Sequence, residues 1–242
     1  MVVVWPSRPR FQTDSLPQQA VLALHRMRQQ LVKFRTAQIN GLRGLLTEYG
    51  EVMPQGRAGI TRAIAPALER AAERLPTMMV ETLREQWARV GQLDKEIAVI
   101  ERRIKMWHRN NPASQRIAEI PGVGALTATA VVVAMGDPAA FNSGREFAAW
   151  LGLVPRHSGT GGRIRMLGIS KHGDRYLLTL LIHGARSVLT NAKAPPDWAV
   201  RLTERRLHNV VTVALANKTA RTIWALLAHD RAYQANFVSQ PA

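Results

Sequence analysis

The sequence predicts a mainly α-helical protein: a long helical hairpin, coiled-coil-like, then a compact helical domain holding a helix-hairpin-helix element and a Gly/Arg-rich loop. Three observations lead there. Apolar residues recur three or four positions apart through most of the chain. One long segment, residues 153–174, has no helical period and is rich in glycine and arginine instead. The hydrophobic fraction of 46% lets the 242 residues bury a core, as one large domain or two small ones.

Residues 1–14 read as an extended N-terminus. The first helical run carries Leu24, Met27, Leu31, Phe34, Leu42 and Leu45, with Gln38 filling one slot of the stripe. A second run, Leu93, Ile97, Ile100, Ile104 and Trp107, alternates strictly by four and three, and Glu96, Glu101, Arg102, Arg103 and Lys105 fill its other faces. The pair reads as the arms of an antiparallel hairpin over residues 15–110; the plainer alternative is two core helices of a bundle. Between them Pro54, Gly56, Gly59, Pro66 and Pro76 punctuate a segment with room for two short helices. A boundary falls at Asn110-Asn111-Pro112, where the long helix must stop.

The domain expected over residues 111–230 opens on Ile120-Pro121-Gly122-Val123-Gly124 followed by a small-residue helix. Two glycines between helices let the backbone turn tightly and expose amides at a helix start, where a phosphate can sit. Gly122 and Gly124 are therefore candidate DNA-backbone contacts; the alternative is a helix–helix turn with no ligand. Asn142 or Ser143 caps a further helix that Gly152 ends. In the aperiodic segment beyond, Arg156, Arg163, Arg165 and Lys171 are suited to clamp phosphates, and Ser158, Thr160 and Ser170 are the hydroxyls near them. Arginines that neutralise developing charge beside a hydroxyl nucleophile fit phosphoryl transfer. A basic hairpin that binds nucleic acid without chemistry, with Ser170 capping the next helix, is the reading that spacing alone favours. Residues 231–242 read as a frayed tail.

Charge narrows the function. Lysine and arginine number 33 against 17 acidic residues, for a net charge of +16, which makes a polyanion the default partner. The excess is uneven: +5 over residues 1–50, zero over 51–100, and +9 over 151–242. There is no cysteine, and the seven histidines lack metal-ligand spacing, so no metal or cofactor is expected in this chain. No apolar run is long enough to span a bilayer, and Met1 to Trp5 is too short for a signal-peptide core, so a cytoplasmic protein with no membrane partner is expected.

A resemblance adds to this reading. Gly152-Leu153-Val154-Pro155-Arg156, Thr160-Gly161-Gly162, Gly168-Ile169-Ser170-Lys171 and Gly173-Asp174-Arg175-Tyr176-Leu177 together resemble the C-terminal domain of an insertion-sequence transposase family. That family is related to the Piv DNA invertase and includes the bridge-RNA-guided recombinases. The similarity continues through Leu180 to Arg186 and Ala214 to Arg221, takes in Ile120 to Gly124 and Phe147 to Trp150, and covers residues 18–230.

The resemblance implies DNA transposition by strand exchange, a structured guide RNA as partner, and a homo-oligomer, dimer or tetramer. It also implies that a serine ahead of Gly-Gly attacks DNA. Thr160 occupies that place here and Ser158 lies two residues earlier, so both are candidate nucleophiles; the threonine methyl crowds attack. Arg156, Arg163, Arg165, Ser170, Lys171 and Arg175 become the nucleic-acid-binding set. The family's RuvC-like domain holds four carboxylates on two magnesium ions. No Asp-bearing strand precedes the first long helix here, so magnesium is expected to belong to a RuvC-like half missing from these residues. The alternative function is a truncated, non-catalytic DNA- or RNA-binding remnant or regulator of a full-length transposase. A helix-hairpin-helix repair accessory is a third reading, and it leaves the 152–177 motifs unexplained.

Overall fold

The computed structural model describes residues 16–160 and 163–235, the side chains at 157, 158, 160 and 163–166 excepted. Among them the chain forms nine α-helices: α1 (Leu16–Glu48), α2 (Gly56–Ala72), α3 (Thr77–Arg109), α4 (Pro112–Ala118), α5 (Ala125–Met135), α6 (Gly144–Trp150), α7 (Arg175–Asn191), α8 (Asp197–Thr203) and α9 (His208–Ala228). Between α6 and α7 lies a two-stranded antiparallel ribbon of β1 (Pro155–Thr160) and β2 (Arg163–Ile169). The protein is mainly α, as the periodicity predicts. It divides into two compact units, Ala23–Arg103 and the remainder.

Within Ala23–Arg103 the predicted long helices are present and run antiparallel, because partner numbers on α3 fall as those on α1 rise. Arg28 pairs with Glu101 at 2.7 Å, Arg35 with Asp94 at 2.9 Å, and Gln38 donates to Gln86 at 2.5 Å. The buried row of α1 is not the predicted one. Met27, Phe34 and Leu45 are 40–54% exposed, and the row that turns inward is His25, Arg28, Val32, Arg35, Ile39, Leu42 and Leu46. That row keeps the four-three spacing, shares Leu42 with the predicted stripe and elsewhere lies one residue along, a turn of ~100° about the helix axis. Hydropathy misses it because three of its seven members are polar.

Asp94 also accepts from Arg57. Burial pushes its carboxyl up, but hydrogen bonds from Arg57 and Arg35 outweigh that, and the net displacement is below the usual value. The segment between the hairpin arms holds one helix, α2, rather than two: the second expected piece is the start of α3, which begins directly after Pro76. Ile60, Ile64 and Leu68 of α2 pack on Leu42, Leu46 and Leu83. Glu51, buried in the α1–α2 connection, receives Arg70 at 2.6 Å and Arg74 at 2.5 Å. The Arg70 hydrogen bond leads the causes that hold this carboxyl below its ordinary value.

The second unit packs α7 and α6 against α9, and α4 against α5. Its core includes Ile117, Val123, Phe147, Leu151, Leu177 and Ile223. Each helix start carries a side-chain cap where the loop residues allow one. Asn111 accepts from Ser114 N–H, Ser143 from Glu146 N–H, and Asp174 from the Tyr176 and Leu177 amides. Asp174, not Ser170, thus caps α7. Of the expected tail, residues 231–235 are described, and Tyr233 among them packs on the core of the second unit. Residues 1–15 and 236–242 lie outside the described residues.

Candidate nucleic-acid interface

The aperiodic segment folds as the ribbon, and its register sets hydroxyl-bearing residues opposite arginines: Ser158 pairs with Arg165 and Thr160 with Arg163. The side chains of these four residues, and Gly161 and Gly162 altogether, lie outside the described set. Near the root the register shifts, so that Leu167 and Gly168 together face Arg156. Such a bulge bends its strand and re-aims the side chains beside it. Arg156 is exposed there.

The root is held from three sides. Ser170 N–H donates to Val154 O at 2.8 Å, Lys171 N–H to Gly152 O at 3.2 Å, and Asn217 Nδ2 of α9 to Leu153 O at 3.1 Å. Gly152 has φ +77°, and a Cβ on it would stand 3.0–3.1 Å from the backbone of Lys171, His172 and Gly173. Gly173 in turn leaves no room for a Cβ against the Trp150 and Leu151 carbonyls. The two glycines therefore let two chain segments cross at backbone contact. Sequence reasoning read Gly152 as a helix stop and Gly173 only as part of a motif, and missed that they seat the ribbon; Asn217 gave no signal of its own.

Ion pairing separates the two units electrostatically. Of the six ion pairs among the described residues, five lie within Ala23–Arg103 and one, Arg116–Asp230, in the other unit. Glu51, Asp94 and Glu101 of the hairpin unit are thus engaged by its own arginines. In the second unit Arg156, Lys171 and Arg175 are exposed and form no ion pair among the described residues. Arg175 also opens α7, where a cation opposes the helix dipole and is offset locally by Asp174. Cations left without internal partners are what a phosphate backbone requires.

Other candidates fall differently. Ser170 is 6% exposed and its Oγ is buried without a hydrogen-bond partner, so it offers no hydroxyl to a ligand in this structure. Gly122, at φ +84°, is pressed against α7, where an added Cβ would come within 2.7 Å of Gly184 O. Gly124 is exposed with open space around it, at the N-terminus of α5. A helix–turn–helix of α4 and α5 is present; the two glycines in it do different work, one packing and one leaving amides open. No group of three or more His, Asp or Glu that could hold a metal occurs among the described residues, and no described helix is long and apolar enough to cross a membrane.

The second unit is thus a helical body that carries exposed cations, unpaired among the described residues, at the root of an arginine-bearing ribbon. Comparison with known proteins makes the class specific. Residues 114–199, from α4 through the ribbon into α8, match the model of the transposase IS116/IS110/IS902 family. A probable family 20 transposase of Pseudomonas aeruginosa is 44% identical over 234 residues, covering 95% of this chain and 69% of the relative. The transposase for insertion sequence element IS1111A of Coxiella burnetii is 41% identical, over 92% of this chain and 62% of its own length. The pilin gene-inverting protein of Moraxella bovis is 33% identical over 60% of this chain and 45% of its own. The chain belongs to the IS116/IS110/IS902 family of transposases. It spans about two thirds of the length of the first of these relatives, less of the others.

Proposed function

We propose that this chain binds DNA through the cationic face of the second unit and serves transposition by strand exchange, with a hydroxyl of the ribbon as nucleophile. The observation that carries the reading is the ribbon register, Ser158 opposite Arg165 and Thr160 opposite Arg163, beside exposed cations that no internal acid neutralises. In the reaction the Thr160 or Ser158 Oγ–H loses its proton and a new Oγ–P bond forms. The P–O bond to the leaving deoxyribose oxygen breaks, and that oxygen departs with the bonding pair and takes up a proton. One phosphodiester replaces another, so the bond energy is kept for rejoining to a second strand. Arginines at the register positions opposite these residues are the residue type that supplies the neutralisation the transition state needs.

The two magnesium ions implied by the resemblance do not fit the described residues. Their best-held acids, Glu51, Asp94 and Glu101, are bound to arginines, and no cluster of ligating side chains forms. No step is routed through metal here; carboxylates for a metal pair would come from outside these residues. A structured guide RNA and assembly as a dimer or tetramer extend the same reading, supported by the cationic surface and by the family.

The test is covalent capture. The chain is incubated with a nicked duplex, supplemented with the segment of a close relative that lies outside this match and that relative's RNA, and run on a denaturing gel. A protein–DNA adduct that disappears in Thr160→Ala or Ser158→Ala, with salt-dependent binding intact, is the expected result. An adduct surviving both substitutions moves the nucleophile elsewhere. Binding with no adduct under any complementation favours a regulator without chemistry.

A further inference from the structure

We infer that Lys171 is a fixed phosphate-contacting residue, held on a strained turn so that its ammonium meets one DNA phosphate at a set place beside the ribbon. This rests on the reading that the second unit binds DNA, and goes beyond it by assigning one contact and the backbone device that fixes it.

Seven described residues have positive φ, and five are glycines: Gly50, Gly56, Gly122, Gly136 and Gly152. The two exceptions are Asp230 at φ 50° and Lys171 at φ 55°. A residue with a Cβ in this region carries a conformational penalty that glycine does not, and asparagine carries less of it than lysine. Such a residue persists where the surroundings over-determine the backbone and the side chain repays the strain. For Asp230 the repayment is visible, because its carboxylate receives Arg116. Lys171 has none inside the protein: it is exposed and forms no ion pair or side-chain hydrogen bond among the described residues.

The backbone at Lys171 is over-determined. Its N–H is tied to Gly152 O, Ser170 N–H to Val154 O, and Gly173 is wedged against the Trp150 and Leu151 carbonyls. Three residues on, Asp174 caps α7. The turn stores a second cost beside the first, since the Ser170 Oγ is buried with no partner. A segment this constrained has little freedom to relax the left-handed residue, yet nothing in its own fold calls for a lysine there. What remains is an anion outside the chain. A cation on a rigid turn loses little backbone freedom on binding, which is what a contact that positions a duplex requires.

The experiment measures duplex binding by the full 242-residue chain across a salt series, together with thermal melting, for Lys171→Ala, Lys171→Asn, Lys171→Gly and Lys171→Arg. A residue that neutralises one phosphate contributes about 0.9 to the slope of log K against log salt. The Ala, Asn and Gly variants each lose about that amount, and Lys171→Arg keeps the parent slope. In melting, Lys171→Asn rises above the parent and Lys171→Gly does not fall below it, because both relieve the left-handed strain. Unchanged slopes in the three neutral variants, with the parent still steep in salt, overturn the assignment and leave DNA binding standing. A fall in melting temperature for both Asn and Gly also overturns it, since the lysine would then serve the fold. A parent chain without salt-dependent duplex binding removes the DNA reading itself.

Discussion

Truncating Phe147 to alanine tests how the second unit holds its ribbon. Phe147 is fully buried at the heart of α6, edge-on to Phe141 with ring centroids 5.2 Å apart and stacked on Trp150 at 5.8 Å. Four residues further on, Leu151, Gly152 and Leu153 lead into the ribbon root. Phe→Ala in a close-packed core costs about 3–5 kcal/mol, of which each lost aromatic contact accounts for about 0.5–1.5 kcal/mol. For a chain of this size, at about 2–4 °C per kcal/mol, melting of the second unit falls by about 6–20 °C. Calorimetry reads this directly. If Ala23–Arg103 melts as a separate transition, that transition stays in place, because its core of Leu42, Leu46 and Ile60 does not include the α6 aromatics. A shift below about 2 °C, well under the Phe→Ala range, refutes the packing argument. So does an equal displacement of two resolved transitions.

Two further outcomes follow from single groups. Burial first, and then the Arg28 guanidinium, push the His25 imidazole down from 6.5 to about 4, so the folded chain refuses a proton that the unfolded chain accepts. Stability is therefore full above pH 6.5 and falls as the pH drops toward 4, by about 3 kcal/mol at the limit. Urea midpoints across that window check it, and His25→Leu flattens the slope; a slope unchanged by the substitution sinks the assignment. The hairpin glycines separate in the same way. Gly122→Ala is strained at φ +84° and blocked by Gly184, so it lowers the melting temperature, whereas Gly124→Ala, with open space around it, leaves melting close to the parent. Equal effects on melting would show that the close approach to α7 is not what places a glycine at 122.

What was legible in the sequence was the helical period, the breaks and the cationic excess. Asn111, Ser143 and Pro76 mark helix starts by local chemistry alone, and local chemistry survives folding. The seam of α1 did not read correctly, because periodicity in hydropathy assumes that the inward row is the apolar one. Here Arg28 and Arg35 turn inward, since Glu101 and Asp94 are there to receive them, and Met27 and Phe34 are left outside. No local pattern shows a partner about sixty to seventy residues away in the chain. Likewise the ribbon's basic and hydroxyl residues were visible as composition, while their cross-strand pairing depends on a register that turn and bulge decide. The left-handed backbone of Lys171 was beyond reach, because lysine is a residue type that gives no hint of it.

The polar seam of the hairpin has a consequence for how the two long helices find each other. A purely aliphatic seam with a four-three spacing is nearly indifferent to sliding by one heptad, since leucine meets leucine again seven residues on. Sliding α1 against α3 by that step here would bring Arg28 to Asp94 and Arg35 to Trp87, and would strand Glu101 without its cation. An unpaired charge in a half-dry seam is a heavy penalty, far larger than the small net gain the pair provides when correctly matched. The arginines thus act less as glue than as a keyed lock: they add little to how tightly the helices hold, and they disqualify the neighbouring alignment.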